Sequence, residues 1–267
     1  MPKKVKRLHD ELQPKHYILD LKPDKEAMRF SGTVIISGQK SGRPSKRITL
    51  HQNGLKITKA HVIRHGKKGD VEIKISRLNH HQGLNEVRLH ADELVFPGQY
   101  TISVNFSGKI TRPMNGMYPC FFKYKSKEKK LIATQFESHH AREVFPCIDE
   151  PEAKATFDLS ITAPTGEAVI SNTPALKETK AGKFTTTTFE TTPHMSTYLL
   201  AFIYGELGYK EAKTKDGVVV RVYATPENVK ITDFALETAV RCLEFYNDYF
   251  GVDYPLAKCD LVALPDF

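Results

Sequence analysis

The chain has 267 residues, of which 40% are hydrophobic, and carries a formal net charge of +8 at neutral pH. That length can bury a real core in one large domain or two modest ones, and the composition excludes a fibre, a coiled coil or a disordered tail. The positive balance favours anionic surfaces in general, but the basic residues are scattered rather than laid along one helix, so no nucleic-acid partner is expected.

Much of the charge lies in MPKKVKR and KYKSKEKK, which read as part of a flexible terminus (1–11) and as a hairpin tip. From about residue 15 the runs HYILDL, FSGTVIISG, RITLHQ, LKITKAHVI, DVEIKI, NEVRLH and GQYTISVNFSG alternate apolar and polar residues between turn formers. Strand follows strand, and no helix is expected before Pro151. KATFDLSITAP, EAVISNT, KFTTTTFETT and STYLLAFIYG repeat the style. Residues 12–208 therefore read as a large, mainly β domain of antiparallel-rich sheets.

Residues 209–267 change texture. GYKEAKT and GVVVRVYAT are strands, and VKITDFALETAVRCLEFYNDYFG reads as an amphipathic helix. Its stripe of Leu236, Ala239, Leu243, Tyr246 and Phe250 is expected in the core, with Thr232 or Asn228 as the cap and Gly251 as the stop. CDLVALP then forms an apolar strand.

No run approaches the roughly 18 apolar residues of a membrane span, and no secretory signal opens the chain. A soluble, cytoplasmic protein without a membrane partner is expected. Cys120, Cys147, Cys242 and Cys259 show no CxxC spacing, which points to reduced thiols, with Cys147 a buried small residue rather than a nucleophile.

The stretch Thr134–Phe157, TQFESHHAREVFPCIDEPEAKATF, carries the functional information. On a strand, Gln135 and Glu137 would share one face about 6–7 Å apart while Phe136 points into the sheet. A carboxylate held on such a wall accepts charge-assisted hydrogen bonds from an ammonium group, so the natural guest is a free amino terminus. Asp149–Glu150 before Pro151 read as caps of a helix start rather than as a catalytic pair. A zinc helix needs two histidines four apart with a carboxylate base between them. Here only His61 and His65 have that spacing, on a β-branched segment that sets them about 13 Å apart. His80–His81 and His139–His140 read as polar loops.

Taken whole, the motif TQFES-x-x-AR-x-x-FPC-x-DEP-x-x-KATF resembles the zinc aminopeptidases of the M1 family. YILDLKPD, FSGTVII, TPHMSTYLLAFIYG and YPLAKCDLVALPDF agree in order, so the resemblance spans nearly the whole chain. It implies a saddle-like β domain followed by the first strands and helix of a thermolysin-like α/β catalytic domain. It also implies zinc in the full-length parent, peptide substrates, and a substrate amine held by Gln135 and Glu137. The family's GxMEN and HExxH segments do not occur in this sequence. The expectation is a chain truncated before them, with no catalytic or metal residues of its own, no bound cofactor, no activity alone, and the remainder of the catalytic domain as its partner. The alternative is a stand-alone, non-catalytic β-rich peptide-binding or scaffold protein. Ile148 and His139–His140 depart from the usual pattern, and oligomeric state is left open.

Overall fold

A computed structural model describes residues 7–266. Among them the strands run β1 (Leu12–Asp24), β2 (Arg29–Lys40), β3 (Ser45–His51), β4 (Lys56–His65), β5 (Val71–Ile73), β6 (Ile75–His81), β7 (Glu86–Val95), β8 (Gly98–Lys109), β9 (Gly116–Tyr124) and β10 (Lys127–Gln135). They continue as β11 (Thr156–Pro164), β12 (Ala168–Ser171), β13 (Ala175–Ala181), β14 (Phe184–Phe189), β15 (Phe202–Gly205), β16 (Gly208–Lys213) and β17 (Val219–Ala224); helix α1 (Asp233–Phe250) and β18 (Lys258–Val262) follow. Four open sheets result, in the orders β13-β14-β11-β1-β2-β8-β4-β5, β12-β15-β10-β9, β3-β7-β6 and β16-β17-β18. The protein is mainly β and antiparallel-rich, with parallel pairing at β1–β11 and β17–β18.

Period-two patterning builds the largest sheet. In β1, Leu12 and Pro14 face inward, and a register shift between Pro14 and His16 rephases the strand so that Tyr17, Leu19 and Leu21 do so afterwards. A bulge adds one residue and switches faces, and it also accommodates a proline that cannot donate to the ladder. The inward faces of β2, β8 and β11 add Val34, Ile36, Ile102, Val104, Phe157 and Leu159, all essentially without solvent contact. Ile48 and Leu50 of β3 and Val87 and Leu89 of β7 join the same core. The three-stranded β3-β7-β6 sheet thus packs its apolar face on the larger one. At the centre the rings of Tyr17 and Phe157 stack at 4.8 Å, and Phe145 meets Tyr17 edge-on at 6.1 Å.

The charged hairpin read from KYKSKEKK is present: β9 and β10 pair antiparallel, and Lys125 and Ser126 at the tip both have positive φ. Positive φ at both central residues matches the right-handed strand twist of a tight hairpin. Residues 1–6 of the expected flexible terminus lie outside the described residues. Those that follow are anchored, since Leu8 is buried and the amides of Leu8 and His9 donate to the Glu150 carboxylate at 2.9 and 3.0 Å.

Three local readings are corrected. DVEIKI is not one strand: β5 ends at Ile73 and β6 runs on through His80 and His81, so that histidine pair lies on a strand rather than in a polar loop. No helix begins at Pro151; a turn leads directly into β11. In α1, Leu236, Ala239 and Leu243 pack on Val220 and Val222, but Tyr246 and Phe250, expected in the core, are exposed together with Phe245 and Tyr249. An 18-residue helix is about 27 Å long, whereas strands of five or six residues span only about 17–20 Å. The sheet runs out before the helix does. Gly251 stops α1 at φ +63°, as expected, while Thr232 donates its hydroxyl to the Val229 carbonyl instead of capping. Among the described residues no helix is long and apolar enough to cross a membrane.

These environments separate two aromatic substitutions. Phe157→Ala should cost about 3–5 kcal/mol, the usual range for emptying a packed aromatic site. Tyr249→Ser, on the exposed face of α1, should stay within about 0.5 kcal/mol of the parent. Urea unfolding followed by circular dichroism checks both, and equal losses would contradict the packing described.

Candidate functional site

The site begins where β10 leaves its sheet. Gln135 is the strand's last residue and pairs with Gly116 of β9. The next residue, Phe136, is buried against Phe145 at a ring distance of 6.1 Å. His140 donates its amide to the Phe136 carbonyl at 2.9 Å and closes a turn, so Glu137 lies beyond the strand rather than on it. The relation between Gln135 and Glu137 therefore differs from a strand repeat. Glu137 donates its amide to Gln135 Oε1 at 3.2 Å, and the Glu137–Ser138 peptide is cis. Phe136 points inward as read. The Glu137 side chain is exposed and makes no ion pair among the described residues.

The turn continues as a short helical segment, Ala141–Glu143, with Ala141, Val144 and Phe145 buried beneath it. Glu143 accepts hydrogen bonds from His140 Nδ1 at 2.9 Å and Asn53 Nδ2 at 3.3 Å. Gly116 sits directly under it: its φ is +63°, and a Cβ there would fall 2.8 Å from Glu143 Oε2. The left-handed backbone angle favours glycine there. A groove of about 590 Å³ opens beside this turn, lined by Asn53, Lys109, Asn115 and Glu143 among others.

What holds the turn is a buried polar cluster that sequence reasoning missed. Asp149 accepts from the Arg142 amide at 3.2 Å and from Arg142 Nε at 2.9 Å on Oδ2, and from the Thr197 hydroxyl at 3.1 Å on Oδ1. Arg142 Nη2 reaches the Asp149 carbonyl at 2.8 Å. The Asp149 amide in turn donates to His51 Nδ1 at 3.0 Å. Backbone bonds between His51 and Cys147, and from the Asn53 amide to the Arg142 carbonyl, tie the segment to the end of β3. Asp149 and Glu150 were read as caps of a helix. They do satisfy backbone amides, but in a loop: Asp149 that of nearby Arg142, and Glu150 those of the distant Leu8 and His9. The available signal was one arginine and one aspartate bracketing the apolar VFPCI run.

The electrostatics follow from burial. Cys147 is enclosed, which pushes its thiol well above the ordinary range and disfavours a nucleophilic thiolate. Burial, with the Arg142 guanidinium adding to it, pushes the His51 imidazole down to about 3. An Nδ1 that accepts from the Asp149 amide must be unprotonated, in keeping with that direction. The carboxylate of Glu150 lies 4.0 Å from His51 Nε2 and opposes the shift, but its oxygens already accept from Leu8 and His9.

The remaining histidine pairs have local partners. His61 pairs with Glu72 and His65 with Asp70, each at 2.9 Å, and the His139 and His140 rings stack at 4.8 Å. Among the described residues no three histidine, cysteine, aspartate or glutamate side chains converge as a metal site would require. A zinc ion therefore does not fit the donor set these residues offer. All four cysteines are free.

The family model described as Peptidase M1 N-terminal domain matches residues 13–199, and the one described as Peptidase family M1 domain matches residues 234–267. Aminopeptidase N of Lactococcus lactis subsp. lactis is 42% identical over 271 residues, covering 100% of this chain and 30% of that protein. Puromycin-sensitive aminopeptidase of Caenorhabditis elegans is 35% identical over 269 residues, covering 99% of this chain and 28% of that protein. Endoplasmic reticulum aminopeptidase 1 of Homo sapiens is 36% identical over 264 residues, with 98% and 28% coverage. The chain thus spans about 30% of the length of the first of these relatives.

The buried cluster generates a pH prediction. The folded-state value of His51 lies below its unfolded value of about 6.5, so as pH falls the unfolded chain takes up the proton first. The stabilisation from neutral His51 is fully present above about pH 6.5 and is lost between there and about 3, by at most about 1.4 kcal/mol per pH unit. Against a His51→Asn variant, urea unfolding between pH 6.5 and 4 should show the parent losing stability more steeply, by about one proton's worth of slope. Parallel slopes would mean that His51 titrates normally in the fold. Separately, Asp149→Ala should cost about 3–5 kcal/mol because it strands the Arg142 guanidinium.

Proposed function

This chain belongs to the M1 peptidase family, and on that footing we propose that it is part of an aminopeptidase whose substrate amine it anchors. In this reading the exposed carboxylate of Glu137 accepts hydrogen bonds from the ammonium group of a peptide. The amide of Gln135, set against the Glu137 backbone, completes the same small wall. The observation that carries the reading is the placement of Glu137, solvent-facing and without an ion pair among the described residues, on a turn whose inward residues Phe136, Ala141 and Phe145 are locked in the core.

Anchoring the amine at one fixed place turns binding into a ruler. Only the first peptide bond then lies at a constant distance from the anchor, and cleavage there releases single amino-terminal residues. The described residues do not assemble a zinc site, so the zinc that family membership implies for the complete enzyme requires ligands from elsewhere. Peptides with a free amino terminus and the remainder of the catalytic domain are the partners in this proposal. A cytoplasmic placement also belongs to it, although one relative is named for the endoplasmic reticulum.

A hydrogen bond to a charged group contributes about 1.5–3 kcal/mol, or roughly ten- to a hundredfold in affinity. In the complete enzyme, Glu137→Ala should lower kcat/KM for free-amine peptides by at least about tenfold, while leaving the fold intact by circular dichroism. Unchanged kinetics across a series of such peptides would remove Glu137 from the anchor. This chain alone, incubated with zinc and aminoacyl reporter substrates, should show no turnover that survives repurification.

A further inference from the structure

The outer face of the β3-β7-β6 sheet has a chemistry that the aminopeptidase reading does not use. Arg47, His90 and Arg77 are cross-strand neighbours in one row, because Arg47 of β3 and Arg77 of β6 both pair with His90 of the central strand. The adjacent row, Ile48, Leu89 and Leu78, belongs to or packs on the main core, which places the Arg47 row on the opposite face. Two residues along β7, Arg88 lies on that same outer face.

The charge there is compensated only in part. Arg88 forms a salt bridge with Glu86 at 2.8 Å, and Lys74 one with Asp92 at 3.2 Å. Neither Arg47 nor Arg77 has an ion pair among the described residues. Like charges set close across a sheet are destabilising, so this row favours a bound anion. Desolvation, followed by repulsion from Arg77, Arg47 and Arg88, lowers the His90 imidazole. Its Nε2 is shielded from solvent and has no partner. Beside it runs a groove of about 670 Å³, lined by Arg43, Lys46, Arg47 and His90 and bordered by Asp10 and Glu11.

We propose that this face binds a phosphoryl-type dianion, gripped by the Arg47 and Arg77 guanidiniums on either side of His90. Two unpaired guanidiniums call for two negative charges. Guanidinium forks arriving from both sides of the central strand suit a tetrahedral anion, which offers oxygens to each, better than a planar carboxylate with two. The source is either free phosphate or the phosphoryl group of a nucleotide.

Isothermal titration calorimetry of the full chain at low ionic strength, with inorganic phosphate, inorganic pyrophosphate and ADP as separate probes, tests this. Saturable one-site binding is expected, weakened at least tenfold by Arg47→Gln or Arg77→Gln and unchanged by Lys180→Gln on distant β13. On the unmodified chain, phosphate should shift the His90 ring resonances, a readout that needs no variant to fold. Tighter binding of ADP that the same substitutions abolish assigns a nucleotide as the source, and phosphate or pyrophosphate binding at least as tightly assigns the free anion. The proposal is overturned if no probe saturates, if the arginine variants bind like the parent, or if hexaglutamate binds more tightly than every phosphoryl probe.

Discussion

The ion pair between Arg142 and Asp149 is the constraint on which the site depends. Asp149 keeps only 1% side-chain exposure and Arg142 only 13%, so the carboxylate is shut off from water and the guanidinium has little of it. Burying two charges is tolerable only when the geometry is good and the remaining lone pairs and protons are satisfied. Here both carboxylate oxygens and the Asp149 amide and carbonyl are all engaged, by Arg142, Thr197 and His51. Such a cluster admits one arrangement of the loop between residues 136 and 150. Its contribution is therefore specificity of conformation more than net stability.

Apolar packing does the complementary work. Phe136 contacts Phe145, Phe145 contacts Tyr17, and Tyr17 stacks on Phe157, so aromatic rings run unbroken from the turn into the centre of the largest sheet. The Tyr17 hydroxyl also accepts from the Ile148 amide at 3.1 Å, satisfying a donor that the core would otherwise strand. Burial raises the Tyr17 phenol well above its ordinary value, which keeps it neutral in that role. The turn is thus held from below by rings and from the side by a salt bridge.

How much of this was legible depended on the range of the interaction. Strands such as β2 and β8 were readable because alternation is a local signal, and α1 because its helical period and terminal glycine are local too. The partners of Asp149 were not, since His51 lies 98 residues away and Thr197 lies 48 away. A proline after two acids then looked like a helix start. The exposed half of α1 was misread for a related reason: a stripe reports that one face is apolar, not how far its partner sheet extends. The end of β10 at Gln135 was hidden because Phe136 continues the alternation while the backbone has already turned.

The same turn shows why one carboxylate stands apart from its neighbours. Glu143 is held by His140 and Asn53, Asp149 by Arg142 and Thr197, Glu150 by two backbone amides, and Glu152 by Arg7. Each acid after Glu137 in the segment is thereby engaged with an internal partner, and Glu143 and Asp149 fix the shape of the turn itself. Glu137 has no such task, and it directly follows the buried Phe136. A carboxylate not consumed by the fold is left available to accept from an arriving cation. That availability is the feature on which the proposed assignment to the substrate amine rests.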